Sequence, residues 1–284
     1  PHYTQPVLTK KPVVVTLHDA TFFTHPQLHQ SAKRIFFGNW TKHSLGHAAR
    51  CIVPSQATAD ELVRVAGAQR DRLSVIHLGV NVQTFREPTD AQAAAARELL
   101  GLPDRPYIAF LGTLEPRKNV PGLIGGYVKA FVHDAAPPAL VLAGGSGWDT
   151  ELDAAIAAVP ANLQVIRPGF LPAHALSGYL GGALAVAYPS FGEGFGLPVV
   201  EAMACGAPVI TTPLLSLSEV GGDAAYYCDP DSGSIAAALT RVASDEHLRA
   251  DLRARGLTRA QQFSWATAAR LHSEVYEDVA RGVR

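Results

Sequence analysis

The sequence is poor in cysteine, has almost no net charge and contains no apolar run of membrane-spanning length. Three cysteines in 284 residues, odd in number and widely spaced, argue against a disulfide framework and suit a reducing compartment. The 24 lysines and arginines nearly balance 25 aspartates and glutamates, so no bulk positive charge would attract nucleic acid. The longest apolar run, 179–188, is interrupted by two glycines and is too short to span a bilayer. These features predict a soluble, core-forming protein.

Motifs of several other enzyme classes are absent or incomplete. No G-x-x-x-x-G-K-[ST] string is present, which argues against a P-loop. The glycine turn 144–149 lacks the full G-x-G-x-x-G pattern and no acidic residue ends the next strand, so a nicotinamide-dependent oxidoreductase is disfavoured. Asp229 and Asp231 form a D-x-D pattern, but the surrounding Asp-Pro-Asp-Ser-Gly composition is typical of a turn and a helix cap.

Two histidine pairs have the helical i, i+4 spacing that some zinc sites use. They are His25 with His29, and His43 with His47. Pro26 interrupts the first pair, and neither pair has the glutamate of an H-E-x-x-H motif. We therefore predict solvated or capping histidines and no metal site.

Short apolar runs alternate with helical patterns along the whole chain, which predicts an α/β fold with parallel sheets. The predicted strands are 13–17, 51–54, 73–77, 107–111, 139–143, 163–166, 183–187 and 208–211. The predicted helices are 31–48, 56–65, 91–100, 120–133, 150–158, 173–180, 197–205 and the region from 232 onward, which ends with a helix at 265–279.

A helix stop followed by prolines at 102–106 predicts a domain boundary. The predicted domains are residues 1–104 and 105–264, with residues 265–284 as a separate last helix. The second half contains about five strand–helix units and looks complete. The first half has three predicted strands, which is few for a sheet covered on both faces.

The stretch 190–211, SFGEGFGLPVVEAMACGAPVIT, carries the strongest functional signal. It places Glu193 and Glu201 eight residues apart, with a helical pattern that begins at Leu197. Residues 194–196 therefore precede a helix N-terminus at the carboxyl end of a parallel strand, where free N–H groups favour a phosphate. Glu201 is placed to accept hydrogen bonds from a ribose diol. For an isolated G-x-G, a plain turn and a solvated glutamate would be the simpler explanation.

A second string, FLGTLEPRKN at 110–119, ends a predicted strand with adjacent cations. Gly112 closes the strand, the turn presents Arg117 and Lys118, and Asn119 is placed to cap the next helix. Adjacent cations at this edge of a sheet predict an anion site, the alternative being an exposed surface pair. His18, in HDATFFTHP, follows an apolar strand and should face a cleft, although a structural histidine is the simpler chemical explanation.

The complete string 190–211 resembles the E-x7-E signature of retaining GT-B glycosyltransferases of family 4 (glycosyltransferase group 1), including the flanking GFGLP and AMACGAPVI. The HDATFFTHP segment is most similar to bacterial mannosyltransferases of O-antigen and exopolysaccharide assembly. The resemblance implies two Rossmann-like domains that face a cleft, with the last helix packing back on the N-terminal domain. The family's first strand–helix units and its glycine-rich loop are not seen, so we expect an incomplete N-terminal domain.

The resemblance also implies roles for individual residues. Arg117 and Lys118 would grip the donor diphosphate, Glu193 the transferred sugar, and Glu201 the ribose. The predicted catalytic residues are His18, Glu193, Arg117 and Lys118. The other expected donor contacts are Gly112, Phe170, Leu171, Gly194, Phe195, Gly196, Leu197 and, more weakly, Glu219 on the nucleotide side of the cleft.

The implied reaction is transfer of a hexose with retention of configuration, by front-side attack, without metal or cofactor. GDP-mannose is the first donor expected and a UDP-sugar the second. The acceptor would be a glycan or a lipid-linked sugar, with no nucleic-acid partner. The expected location is the cytoplasm, at the inner face of the plasma membrane, with peripheral membrane contact through the N-terminal domain. The alternative is a fragment that binds nucleotide without turnover, because its glycine-rich loop is absent.

Overall fold

Two parallel sheets organise the chain in the computed structural model, which describes residues 4–6, 8–9, 11–28, 31–102 and 105–282. The first sheet has the order β1-β2-β3, with β1 at Val14–Thr16, β2 at Arg50–Val53 and β3 at Leu73–Val75. The associated helices are α1 (Thr21–Thr24), α2 (Ser31–His47), α3 (Gln56–Ala66) and α4 (Asp90–Leu99). Short 3-10 helices lie at Pro26–Leu28, Arg70–Arg72 and Pro116–Lys118.

The second sheet has the order β6-β5-β4-β7-β8-β9. Its strands are β4 (Tyr107–Leu111), β5 (Ala139–Ala143), β6 (Val165–Gly169), β7 (Ala185–Tyr188), β8 (Val209–Thr211) and β9 (Ala225–Tyr227). Its helices are α5 (Val120–Phe131), α6 (Leu152–Ala157), α7 (Ala173–Gly181), α8 (Leu197–Ala204), α9 (Ser216–Gly221), α10 (Ser232–Ser244) and α11 (Glu246–Ala260), followed by α12 (Trp265–Arg281).

Continuous apolar runs explain why the second sheet forms the main core. Strands β5 and β7, with the sequences ALVLA and AVAY, are buried at every position. Such runs are typical of parallel strands covered by helices on both faces, because neither face meets water. The order of the strands reverses between β4 and β7, which lie side by side although two strand–helix units separate them in sequence. In open parallel sheets this position leaves a crevice at the carboxyl ends of the strands.

The last helix, α12, lies against the first sheet. Ala268 is buried with Ile52 and Ile76, and Leu271 and Val275 pack beside them. The helix therefore returns from the second half of the chain to the first. The domain limits stay a prediction, and residues 103 and 104 of the proposed link lie outside the described residues.

The α/β fold with parallel sheets is confirmed, and the structure corrects three details. Strand β9 was not predicted, because its three residues carry little pattern. Helix α9 lies where a loop was expected. Asn119 occupies the cap position of α5, but its side chain donates to the carbonyls of Pro189 and Pro230 and does not cap the helix.

The cysteines behave as predicted. Cys51, Cys205 and Cys228 are free and buried, and burial raises the pKa of Cys205 to about 12.

Among the described residues, no helix is long and apolar enough to cross a bilayer.

Candidate active site

The two strongest motifs meet at the crevice between β4 and β7. Arg117 and Lys118 follow β4, and Glu193 follows β7. Because the carboxyl ends of neighbouring parallel strands share one edge of the sheet, residues 75 positions apart in sequence come into hydrogen-bonding contact. The structure therefore brings these three predicted residues together.

Glu193 is the centre of a buried ionic cluster. Its Oε1 accepts hydrogen bonds from Lys118 Nζ at 2.7 Å, Tyr188 OH at 2.8 Å and Ser190 Oγ at 3.0 Å. Its Oε2 forms an ion pair with Arg117. Only 7% of Glu193 is exposed, and Lys118 is 8% exposed. Two cations therefore share this carboxylate in a site that is largely shielded from water, and the Glu115 carboxylate lies 3.7 Å from Arg117 as a second, looser partner.

The charges in this cluster stabilise one another. Burial favours the protonated form of Glu193, but Lys118 and Arg117 outweigh it and lower its pKa to about 2. Burial likewise opposes the charge of Arg117, yet the adjacent Glu193 carboxylate holds the pKa of Arg117 above its ordinary value. Burial and the neighbouring Glu193 raise the pKa of Tyr188, so its hydroxyl stays protonated and donates to the carboxylate. Glu193 and Arg117 are therefore both charged at neutral pH.

The backbone before α8 presents free donors beside the cluster. Within the described part of the chain, the amides of residues 194–197 form no hydrogen bond. Gly196 holds the N-cap position with a φ of 97°, which favours glycine, and supplies no capping side chain. A helix N-terminus with unpaired amides is a favourable site for a phosphate group.

Gly194 lies directly against the first half of the chain. A methyl group there would overlap the carbonyl oxygen of His18 and lie 2.8 Å from Cβ of Asp19. The carbonyl of Gly194 accepts hydrogen bonds from Ser55 Oγ at 2.7 Å and Thr58 Oγ1 at 3.0 Å. The backbone of His18 is thus placed beside the E-x7-E loop.

Glu201 differs from Glu193 in having no ion-pair partner among the described residues. It lies inside α8 and is partly buried. Burial raises its pKa to about 7, and the attraction of the more distant Lys118 only partly offsets this. A carboxylate that is desolvated and unpaired has its acceptor oxygens available for a ligand.

The remaining predicted contacts surround the same edge of the sheet. Gly112 directly follows β4, and Phe170 and Leu171 directly follow β6. Phe170 is 84% exposed, so its ring is open to a planar partner, whereas Phe195 is buried against His77 and Phe263. A side-chain role for Phe195 toward a ligand is therefore unsupported.

The carboxylates of Asp231 and Glu219 bind protein groups outside the cluster of Arg117, Lys118 and Glu193. Asp231 accepts hydrogen bonds from the amides of Gly233 and Ser234 and caps α10, which confirms the prediction of a turn and a helix cap. Glu219 lies on α9 and contacts the first half of the chain through Gln56.

Sequence reasoning missed three residues near the cluster. The hydroxyls of Tyr188 and Ser190 donate hydrogen bonds to Glu193. The only sequence signal for these contacts is the position of the two residues at the end of β7. The third is His25, which was predicted to be solvated or capping and which occupies the C-cap position of α1. A methyl group on Gly192 would lie 3.8 Å from ring carbon Cε1 of His25, and burial lowers the pKa of this histidine.

The other histidines of the two spaced pairs form no metal site that the structure describes. His29, the predicted partner of His25, lies outside the described residues. In the second pair, Nδ1 of His47 lies 2.9 Å from the backbone carbonyl oxygen of His43. Among the described residues, no group of three or more metal-ligating side chains comes together.

Curated proteins similar to this chain are bacterial glycosyltransferases. O-antigen chain mannosyltransferase B of Escherichia coli is 32% identical over 254 residues, which cover 89% of this chain and 66% of that protein. A D-inositol 3-phosphate glycosyltransferase of Streptomyces bingchenggensis is 34% identical over 262 residues, covering 84% of this chain and 55% of the relative. The chain thus spans between about half and two thirds of the length of these relatives.

Solved structures share the fold over almost the whole chain. HepE of Anabaena, crystallised with UDP and glucose, matches with a TM-score of 0.78 and 21% identity, covering 95% of this chain and 72% of HepE. Sucrose-phosphate synthase of Thermosynechococcus elongatus matches with a TM-score of 0.79 and 24% identity, covering 95% and 68% of the two chains. The chain therefore has the GT-B fold of these glycosyltransferases.

Two family models divide the sequence between them. The model described as Glycosyltransferase Family 4 matches residues 3–84, and the model described as Glycosyl transferases group 1 matches residues 92–259. The second match alone covers more than half of the chain and includes both glutamates of the E-x7-E string. The chain therefore belongs to the glycosyl transferases group 1 family.

Proposed function

We propose that this protein transfers a hexose from a nucleoside diphosphate sugar to a glycan or lipid-linked acceptor, with retention of configuration and without a metal ion. The observation that carries the proposal is the pair of buried cations, Arg117 and Lys118, beside the free amides of residues 194–197. The leaving diphosphate gains negative charge as the glycosidic bond breaks. Fixed positive groups aimed at that charge lower the barrier to transfer.

The contacts of the cluster support a different role for each residue of the site. Lys118 uses two of its three N–H donors on Tyr188 and Glu193, which leaves one for a phosphate oxygen. When no donor is bound, Glu193 stabilises both cations. When a donor is bound, a sugar hydroxyl would hydrogen-bond the exposed part of its carboxylate. Glu201 would accept hydrogen bonds from the ribose, and exposed Phe170 would lie beside the base. His18 would lie near the transferred sugar.

Mannose is our first choice of sugar because a mannosyltransferase of O-antigen chains aligns with 89% of this chain. A UDP-sugar is the second choice, since HepE binds UDP and glucose in the same fold. Glycan or lipid-linked acceptors fit the same relatives, and we place the protein in the cytoplasm, at the membrane where such acceptors are made.

The direct test measures binding and transfer in the same preparation. We expect calorimetry to detect binding of GDP, and more weakly of UDP, in excess EDTA, because protein cations and amides take the place of a metal ion. GDP-mannose with a lipid-linked acceptor should give a product whose anomeric configuration, read by NMR, equals that of the donor. Binding that is lost with EDTA and restored by manganese would contradict metal independence. Binding without transfer would favour the binding-only alternative.

Glu201→Gln should weaken nucleoside diphosphate binding by about 1–3 kcal/mol, the usual contribution of a charge-assisted hydrogen bond. The same variant should be more stable than the wild type at pH 8. The folded protein holds the pKa of Glu201 at about 7, above its ordinary value of 4.5, so ionisation at higher pH costs stability in the wild type alone. The stability difference should shrink as pH falls from about 7 toward 4.5. Thermal unfolding at pH 5 and pH 8, with calorimetry at pH 8, measures both effects; unchanged affinity in the folded variant would contradict the ribose role.

A further inference from the structure

Glu219 joins the two halves of the molecule at the N-terminus of helix α3. From its position on α9, its carboxylate accepts hydrogen bonds from the backbone N–H of Gln56 at 2.9 Å and of Ala57 at 3.0 Å. The ring Nε2 of His77, which follows β3, lies 2.7 Å from the same carboxylate. One side chain of the second half therefore contacts two elements of the first.

Helix α3 depends on this carboxylate for part of its cap. Its own N-cap residue, Ser55, accepts a hydrogen bond from the amide of Thr58 at 3.0 Å. The amides of Gln56 and Ala57 precede Thr58 in the first turn, where a helix cannot supply partners of its own. Glu219 supplies both, and its negative charge also interacts favourably with the helix dipole.

The same end of α3 holds the E-x7-E loop. The hydroxyls of Ser55 and Thr58 donate to the carbonyl of Gly194, at 2.7 and 3.0 Å. From the other side, Ser216 at the start of α9 donates to the carbonyls that flank Gly194, those of Glu193 at 2.7 Å and Phe195 at 3.0 Å. Helix α9 thus contacts the E-x7-E loop directly. It also contacts α3, which binds the same loop through the carbonyl of Gly194.

Helix α9 is in turn hydrogen-bonded by helix α11. Arg259 of α11 donates to the backbone carbonyls of Glu219 and of Val220, the latter at 3.0 Å. Burial favours the protonated acid, but the His77 and backbone hydrogen bonds lower the pKa of Glu219 below its ordinary value. The contact therefore involves an ionised carboxylate on a helix that α11 holds through Arg259.

We propose that Glu219 is a positioning residue for sugar transfer, which holds the N-terminus of α3, and through it Gly194, where the first half of the chain meets the donor site. The inference rests on the proposed function. Glu219 hydrogen-bonds α3 and His77, whereas the cation cluster is formed by Arg117, Lys118 and Glu193. Its contribution should consequently appear in turnover and leave nucleotide affinity intact.

The test replaces Glu219 by Gln, which keeps the size of the side chain but can accept through one oxygen only. We expect kcat for transfer to fall about 10- to 100-fold, the effect of a misplacement of roughly 1 Å. KM for the donor and Kd for GDP should stay within about two-fold, since only transition-state geometry changes. Amide exchange of Gln56 and Ala57, followed by NMR, should become faster.

Asp60→Asn is the matched control. Asp60 lies on the same helix and accepts a hydrogen bond from the Gln56 side chain at 2.7 Å, a contact confined to the first half of the chain. This variant should turn over at the wild-type rate. A Glu219→Gln variant with wild-type kcat, or one whose GDP affinity falls in parallel with kcat, overturns the positioning role. If the wild type transfers no sugar, the proposed function fails, whatever the role of Glu219. In that case, amide exchange of Gln56 and Ala57 that is no faster in Glu219→Gln than in the wild type would separately overturn the inference.

Discussion

Glu193→Gln should destabilise the protein by about 3–5 kcal/mol at neutral pH, as expected when one partner of a buried ion pair is removed. Glutamine keeps the shape of the side chain but leaves the buried Lys118 without a carboxylate partner and Arg117 with only the looser Glu115 contact. Sugar transfer should fall by at least about 100-fold, because the cations then lose the geometry that binds the leaving diphosphate. Urea unfolding and a radiolabelled donor assay measure the two effects.

The pH dependence gives this prediction an independent check. The pKa of Glu193 is lowered from 4.5 to about 2 in the folded protein, so its contribution is complete above about pH 4.5 and is lost as pH falls toward 2. The stability gap between wild type and Glu193→Gln should narrow over that window. Glu115→Gln is the control, because the Glu115 carboxylate lies 3.7 Å from Arg117 as a looser second partner. Equal losses in the two variants would show that the cluster does not depend on Glu193.

Gly194→Ala should separate the two halves of the molecule at the E-x7-E loop. The added methyl would overlap the carbonyl oxygen of His18, and neither backbone can yield without moving a strand end or the helix start. We expect a loss of about 1–3 kcal/mol in stability, the usual cost of overpacking. Transfer should fall by about 100-fold, because the first half of the chain is displaced from the donor site.

Gly192→Ala is the matched control within the same loop. Its added methyl would meet the end of the Leu215 side chain at 2.6 Å, and that side chain can rotate away. We therefore expect nearly normal stability and transfer. Denaturant unfolding and the transfer assay on both variants test the prediction. If Gly194→Ala behaves like Gly192→Ala, the contact with His18 has no importance for the reaction.

The meeting of the two strongest motifs at one edge of the sheet was predictable because their signals are local. Apolar runs identified strands β4 and β7, and the residues that follow each run had to lie at the same edge of a parallel sheet. Arg117, Lys118 and the glycines of residues 194–196 indicate an anion site by composition alone. The predicted limits of helix α3 differ from the observed ones by a single residue, because Ser55 caps its start and a left-handed Gly67 ends it.

Partnerships between distant residues were not predictable. The sequence assigned Arg117 and Lys118 to phosphate and Glu193 to sugar, whereas the structure pairs all three in one buried cluster. Lys118 and Glu193 stand 75 positions apart, so no local pattern reveals whether they meet. Helix α9 and strand β9 were likewise not predicted from the sequence.

The sequence by itself determined the α/β fold, the parallel strands and the edge of the sheet where Arg117, Lys118 and Glu193 lie. These follow from the spacing of apolar residues and from glycine and charge at the ends of strands, which act over a few neighbouring residues. Only the tertiary structure decided that Glu193 pairs with two cations and that Glu219 caps a helix 163 residues away. Both depend on how two sheets come together, because a carboxylate finds its partner by distance in space and not by spacing along the chain.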